Sequence, residues 1–215
     1  CFATTTLQLI VNPKPLANPI ITDYAQCDYT NPGDGEEVFV LNTKTAEIAN
    51  GQTGVTINYY LTQADAIAQT NPLANNYTNT SSPQQIWINI SNNTTGCNSV
   101  SSFNIIVNLL PEAIEPLPIV ECSNGAVTTA TFDLTVNEDV ITGGATGVVV
   151  TYYNTLADAQ APSNIIVNPT AYLGNDNEII YVRVENTTTG CYNTTTQLIS
   201  VTAGPTAITP LDLNY

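Results

Sequence analysis

Histidine and methionine are absent from this chain of 215 residues, and lysine and arginine together number 3. Each shortage removes a class of function. Without histidine there is no Ser–His or Cys–His nucleophile and no imidazole metal ligand. Lys14, Lys44 and Arg183 stand against 18 acidic residues, for a net charge of −15. No basic face can be built to release counterions from nucleic acid or to sit on an anionic membrane. No apolar run approaches the ~18 residues of a membrane-spanning helix, so membrane insertion is not expected. The 5 cysteines are spread along the chain without a CxxC, which excludes the usual zinc spacings. P-loop and GxGxxG fingerprints are missing. Acidic residues that recur between the repeats described below are too few to suggest paired catalytic carboxylates. We expect no enzyme.

What is present is a repeat of about 95 residues. Cys27 returns as Cys122, and Gly96-Cys97 returns as Gly190-Cys191. Between these marks, Gly54–Tyr60 answers Gly147–Tyr153, and Ala64-Asp65-Ala66 answers Ala157-Asp158-Ala159. A period this long is a small domain rather than a solenoid turn. Only 10% of residues are charged, and Thr, Asn, Val and Ile are abundant, which suits strands joined by turns.

The strongest strand is Ile86–Ser91, matched by Ile180–Glu185. In both, alternate residues are apolar: Ile86, Ile88, Ile90 and Ile180, Val182, Val184. A turn rich in Asn, Thr and Gly leads to a second alternating run, with Phe103, Ile105 and Val107 in one copy and Ile199 and Val201 in the other. This reads as a hairpin of the last two strands. Val38–Leu41 and Thr131–Leu134 read as an earlier strand, and the Tyr-Tyr pairs end another. Thr62-x-x-Asp65 and Thr155-x-x-Asp158 resemble capping boxes, so a helical turn is expected after each. The fold class expected is all-β, with tandem immunoglobulin-like β-sandwich domains in an extended rod. The expected divisions are 1–12 as the last strand of a preceding repeat, 13–110 and 111–204 as two repeats, and 205–215 as a linker. The Pro-rich stretches 12–19 and 110–118 serve as stiff connectors. The phase of the repeats suggests a window from a longer repetitive protein.

Repeat-locked cysteines favour disulfides and an oxidising, extracellular setting. Three schemes for Cys27, Cys97, Cys122 and Cys191 remain open. Pairing within a domain gives Cys27–Cys97 and Cys122–Cys191. Stapling across linkers gives Cys1–Cys27 and Cys97–Cys122. A third arrangement puts Cys27 near the junction with the next domain, close to Cys191. The first is preferred because each domain then carries its own staple, although the strand ends concerned lie at opposite poles of a standard sandwich.

Among ligand sites, the loop holding Asp28, Asp34 and Glu36 offers oxygen ligands around an Asp-Gly turn, as calcium requires. The second copy has no such carboxylates. No other cofactor is expected. Trp87 and Tyr181 occupy equivalent outward positions, where an aromatic ring could stack on a glycan or brace its neighbours across the sheet. Partners expected are neighbouring repeats of the same chain or filament, with a surface or glycan target.

The strings Thr151–Gln160, Asn168–Tyr172 and Tyr181–Cys191 together resemble the tandem immunoglobulin-like repeats of very large surface proteins of Bacteroidota, especially flavobacteria. The resemblance implies export by the type IX secretion system and a gliding-motility-associated setting at the cell surface. It also implies a stalk role within a large adhesin. Two other roles are compatible with the residues: a filament subunit that donates residues 1–12 as a strand, and a carbohydrate-binding region of a secreted enzyme.

Overall fold

The computed structural model describes residues 1–123 and 128–204. The expected linker at 205–215 lies outside them. The chain divides into two compact units, Cys1–Leu109 and Leu110–Tyr215.

Unit 1 contains β1 (Tyr24–Cys27), β2 (Val38–Val40), α1 (Thr45–Ala49), β3 (Val55–Tyr60), α2 (Gln63–Ala68), β4 (Asn76–Thr78), β5 (Gln84–Asn92) and β6 (Asn98–Asn108). One sheet has the order β1-β6-β5-β3, and β2 pairs with β4. Unit 2 repeats this with β7 (Ile119–Ser123), β8 (Thr129–Phe132), α3 (Glu138–Ile141), β9 (Val148–Tyr153), α4 (Leu156–Gln160), β10 (Tyr172–Asn175), β11 (Glu178–Asn186) and β12 (Tyr192–Ala203). Its sheets are β7-β12-β11-β9 and β8-β10. The fold is all-β and immunoglobulin-like, in two tandem copies. Each sandwich is a four-stranded sheet facing a two-stranded one.

Alternation drives the packing. Ile86, Ile88 and Ile90 of β5 are fully buried, as are Ile180, Val182 and Val184 of β11. Ile86 and Ile88 share a core with Phe39 in unit 1, and Ile180, Val182 and Val184 share one with Phe132 in unit 2, so both sheets contribute to one core in each unit. On the opposite face of the larger sheet lies a short helix. Thr62 accepts the Asp65 N–H at 3.0 Å and caps α2. Thr155 does the same for Asp158 at 3.1 Å and caps α4. Each threonine hydroxyl in turn donates to the carboxylate of the same aspartate. The side chain at the third helical position thus engages the cap through its hydroxyl rather than through the backbone N–H of a full capping box.

The first and last strands of each unit pair in parallel. β1 lies beside β6 with Tyr24 opposite Ile105 and Cys27 opposite Asn108. β7 lies beside β12 with Ile119 opposite Ile199 and Cys122 opposite Thr202. Residues 1–12 form no strand. Leu7, Leu9 and Val11 are more than four-fifths exposed. Their alternation has no neighbouring ladder in this chain, and a lone strand is not stable in water.

Candidate functional site

Each unit carries one cysteine at each end of its longest strand. The hairpin turn places the first. Asn92 accepts the N–H groups of Thr94 and Thr95 through Oδ1, and Gly96 takes φ +72°. Asn186 and Gly190, at φ +71°, repeat the turn in unit 2. Positive φ is the reason glycine stands there, because a Cβ would be strained. Cys97 and Cys191 follow directly, at the start of β6 and β12. The second cysteine ends the opening strand: Cys27 sits opposite the last residue of β6, and Cys122 near the end of β12.

The separation decides the pairing. At about 3.4 Å per residue, the long strand puts the two cysteines of one unit roughly 35 Å apart. A disulfide needs Cα atoms within about 7 Å. Bonds within a unit are therefore impossible, and the preferred scheme of Cys27–Cys97 with Cys122–Cys191 is corrected. Cys27 and Cys191 are both disulfide-bonded. Cys1, Cys97 and Cys122 are free thiols, so the linker staples Cys1–Cys27 and Cys97–Cys122 are corrected too.

The course of the chain gives these ends a direction. In unit 1 the Asn12 carbonyl lies 3.9 Å from the Cys97 sulfur, and Ser99 donates to the Pro15 carbonyl. Asp23 then accepts the Asn104 N–H at 3.0 Å. The incoming segment thus runs beside β6 from its cysteine end toward Cys27. Unit 2 does likewise. Asn193 donates to the Pro111 carbonyl at 3.3 Å, and Gln197 to that of Leu117 at 3.2 Å. The hairpin cysteine therefore marks the inlet of each unit, and the opening-strand cysteine marks its outlet. The third sequence scheme, with the two strand ends at opposite poles and Cys27 at the outgoing end, agrees with this placement. The register behind it, a parallel pairing between strands about 80 residues apart, is not in the sequence reading.

The acidic loop folds around its own carboxylates. Asp28 is fully buried, and its Oδ2 accepts from Gly33 at 2.7 Å and Gly35 at 3.2 Å. Its Oδ1 is buried without a hydrogen-bond partner. Asp34 accepts from the Glu36 backbone and from Asn31, and the first of these leads in lowering its pKa. Glu36 is exposed. Among the described residues no three acidic or cysteine side chains gather as a metal-ligand set. Sequence reasoning missed Glu37. This buried carboxylate accepts from the N–H and hydroxyl of Thr30, at 2.7 and 2.8 Å. Burial pushes its pKa up, but the hydrogen bonds from Thr30 and neighbouring backbone outweigh that and leave it lowered. An acid in a turn-rich stretch reads as surface, so only tertiary contact could reveal it.

Trp87 and Tyr181 are half-buried on the outer face of the larger sheets. Trp87 sits opposite Tyr60 and Ser102, and Tyr181 opposite Tyr153 and Thr196. Each is braced across its own sheet. No helix among the described residues is long and apolar enough to cross a membrane.

No curated protein matches the chain. Among solved structures, a mutated three-domain immunoglobulin fragment of titin is 13% identical, with TM-score 0.31, covering 87% of this chain and 64% of that one. An endo-fucoidan hydrolase of glycoside hydrolase family 107 is 12% identical, with TM-score 0.20, covering 92% and 31%. The SGBP-B protein of a Bacteroides ovatus mixed-linkage glucan utilization locus is 12% identical, with TM-score 0.20, covering 90% and 46%. The chain thus spans less than two thirds of each, and likenesses this distant carry no argument about function. A family profile matches the chain twice, over residues 23–111 and again over 118–205. With two sandwiches, each bearing one cysteine at either end, the chain belongs to the Flavobacterium inter-domain disulphide bond domain family, in two tandem copies.

Proposed function

We propose that this chain is a segment of an extracellular structural stalk whose consecutive repeats are joined twice, once by peptide and once by a disulfide between Cys27 and Cys191. One observation carries the reading: the two oxidised cysteines are the outlet cysteine of unit 1 and the inlet cysteine of unit 2. Both flank the stretch of chain that leaves one unit and comes into the next. The family description, an inter-domain disulphide bond domain, supports the same pairing. In the chain-entropy account, closing so long a loop stabilises the folded pair by about 5 kcal/mol.

By the same rule Cys122 takes its partner from the inlet of a following repeat, and Cys97 from the outlet of a preceding one. The role is mechanical rather than catalytic. The setting we assign is the outside of a bacterial cell, on a large secreted surface protein serving adhesion and gliding motility. The resemblance to Bacteroidota surface repeats supports that setting, as do disulfides, which persist in oxidising surroundings.

Non-reducing peptide mapping after alkylation of free thiols tests the pairing. For residues 1–215 without neighbouring repeats, the expected result is a Cys27 peptide joined to a Cys191 peptide, with Cys1, Cys97 and Cys122 alkylated. A Cys27–Cys97 link would sink the proposal.

A further inference from the structure

Where each cysteine sits along its strand determines what a pull on the chain can reach. In unit 1 the segment from Asn12 to Cys27 runs from inlet to outlet beside β6. In unit 2, β12 makes the same crossing, from Cys191 to Ala203. Both segments already cross their units end to end. Everything between them, residues 28–190, leaves the chain at one member of the disulfide and returns at the other.

We infer that the Cys27–Cys191 bond removes the bodies of both sandwiches from the path of tension, so that the oxidised chain cannot be unravelled by a pull on its ends. This rests on the pairing proposed above. Tension passes along the incoming segment to Cys27, crosses the sulfur–sulfur bond to Cys191, and continues along β12. Covalent bonds carry it throughout. The hydrogen bonds between β1 and β6, and between β7 and β12, bear no shear, because only one strand of each pair is pulled. When the disulfide is reduced, tension must pass through both sandwiches. The two parallel terminal pairs then become the elements that resist, and they yield when their ladders shear.

The length at stake is large. At ~3.5 Å per extended residue, the closed loop 28–190 hides on the order of 570 Å of chain. The slack in the loaded path is small. Residues 12–27 span about the distance that the 11 residues of β6 span, leaving roughly 15–18 Å at that same rise.

The test is single-molecule stretching of the full chain, held at both ends, after peptide mapping has established its disulfide. The oxidised chain should stretch to a stop with no unfolding steps. The same molecule in dithiothreitol should give two steps, one for each unit. A C191S chain and a C27S chain should both behave like the reduced form. Reduction needs no substitution, so the comparison survives if either variant folds poorly. Unfolding steps in a chain with a mapped Cys27–Cys191 bond would overturn the inference alone. A chain in which mapping finds another pairing overturns the functional reading, and the inference with it.

Discussion

Unit 1 buries Asn89 at the place where unit 2 buries Arg183, and the two side chains leave their surroundings in different states. Asn89 donates to the Ala66 carbonyl at 2.8 Å, while its own Oδ1 is buried without a partner. Arg183 donates to the carbonyls of Ala159 and Gln160, pairs with Glu185 at 2.6 Å, and lies over the Tyr192 ring at 3.4 Å. Both tie the outer helix to the sheet beneath it. The inward tyrosines differ too. Tyr59 shares a hydrogen bond with Thr45, whereas Tyr152 donates to Glu138, and burial followed by the Glu138 charge holds its phenol far above the usual range. The hairpin, the helix cap and the parallel terminal pair are alike in both units. The placing of the cysteines depends on backbone and turn chemistry, and it tolerates different polar solutions elsewhere.

The largest expected effect tests the likeness of the cores. Phe39→Ala and Phe132→Ala each empty a fully buried site, and each should cost about 3–5 kcal/mol. Chemical denaturation of each variant measures this, and a gap of more than about 2 kcal/mol between them would break the equivalence of the two units. Next in size is the Asn89–Arg183 contrast. Arg183→Ala strands two carbonyls beneath the helix and should cost about 2–3 kcal/mol. Asn89→Ala loses one hydrogen bond but also removes an orphaned oxygen, and should cost about 1 kcal/mol or less. Equal losses in a melt would show that the side chains differ in chemistry but not in consequence.

The smallest effect is in acid. Hydrogen bonds from Thr62 and Thr155 lead in lowering the pKa of Asp65 and Asp158. A carboxylate with a depressed folded pKa stabilises the fold above its unfolded value, and that contribution is lost as pH falls through the folded one. Both units should therefore weaken below about pH 4. Asp34, Glu37 and Glu47 are also lowered in unit 1, against Asp133 and Glu178 in unit 2. Unit 1 should lose slightly more, and D65N and D158N should flatten the pH dependence of Tm. A flat profile in the parent chain would remove this distinction.

Much of the fold was legible in the sequence wherever the cause is local. Alternation in Ile86–Ile90 set the core face. Thr62 and Asp65 set a helix start, and Gly96 set a turn. What could not be read was the register of the parallel pairs, because Cys27 meets Asn108 across about 80 residues of intervening chain. The cysteine pairing depends on that register, so spacing alone left it open. The structural role of Glu37 was hidden for the same reason, since the backbone N–H of Glu37 is bound by Asn79 at 2.7 Å, from a distant strand end.

The position of Cys27 and Cys191 also bears on what a protease can do. On the proposed pairing, every loop between them, including the exposed turns at Asn93–Thr95 and Thr187–Thr189, belongs to a ring. A single cut in a ring opens it without dividing the molecule. A chain clipped once in any such turn would still run as one species without reductant, and whatever it carries beyond Ala203 would stay tethered to what lies before Tyr24.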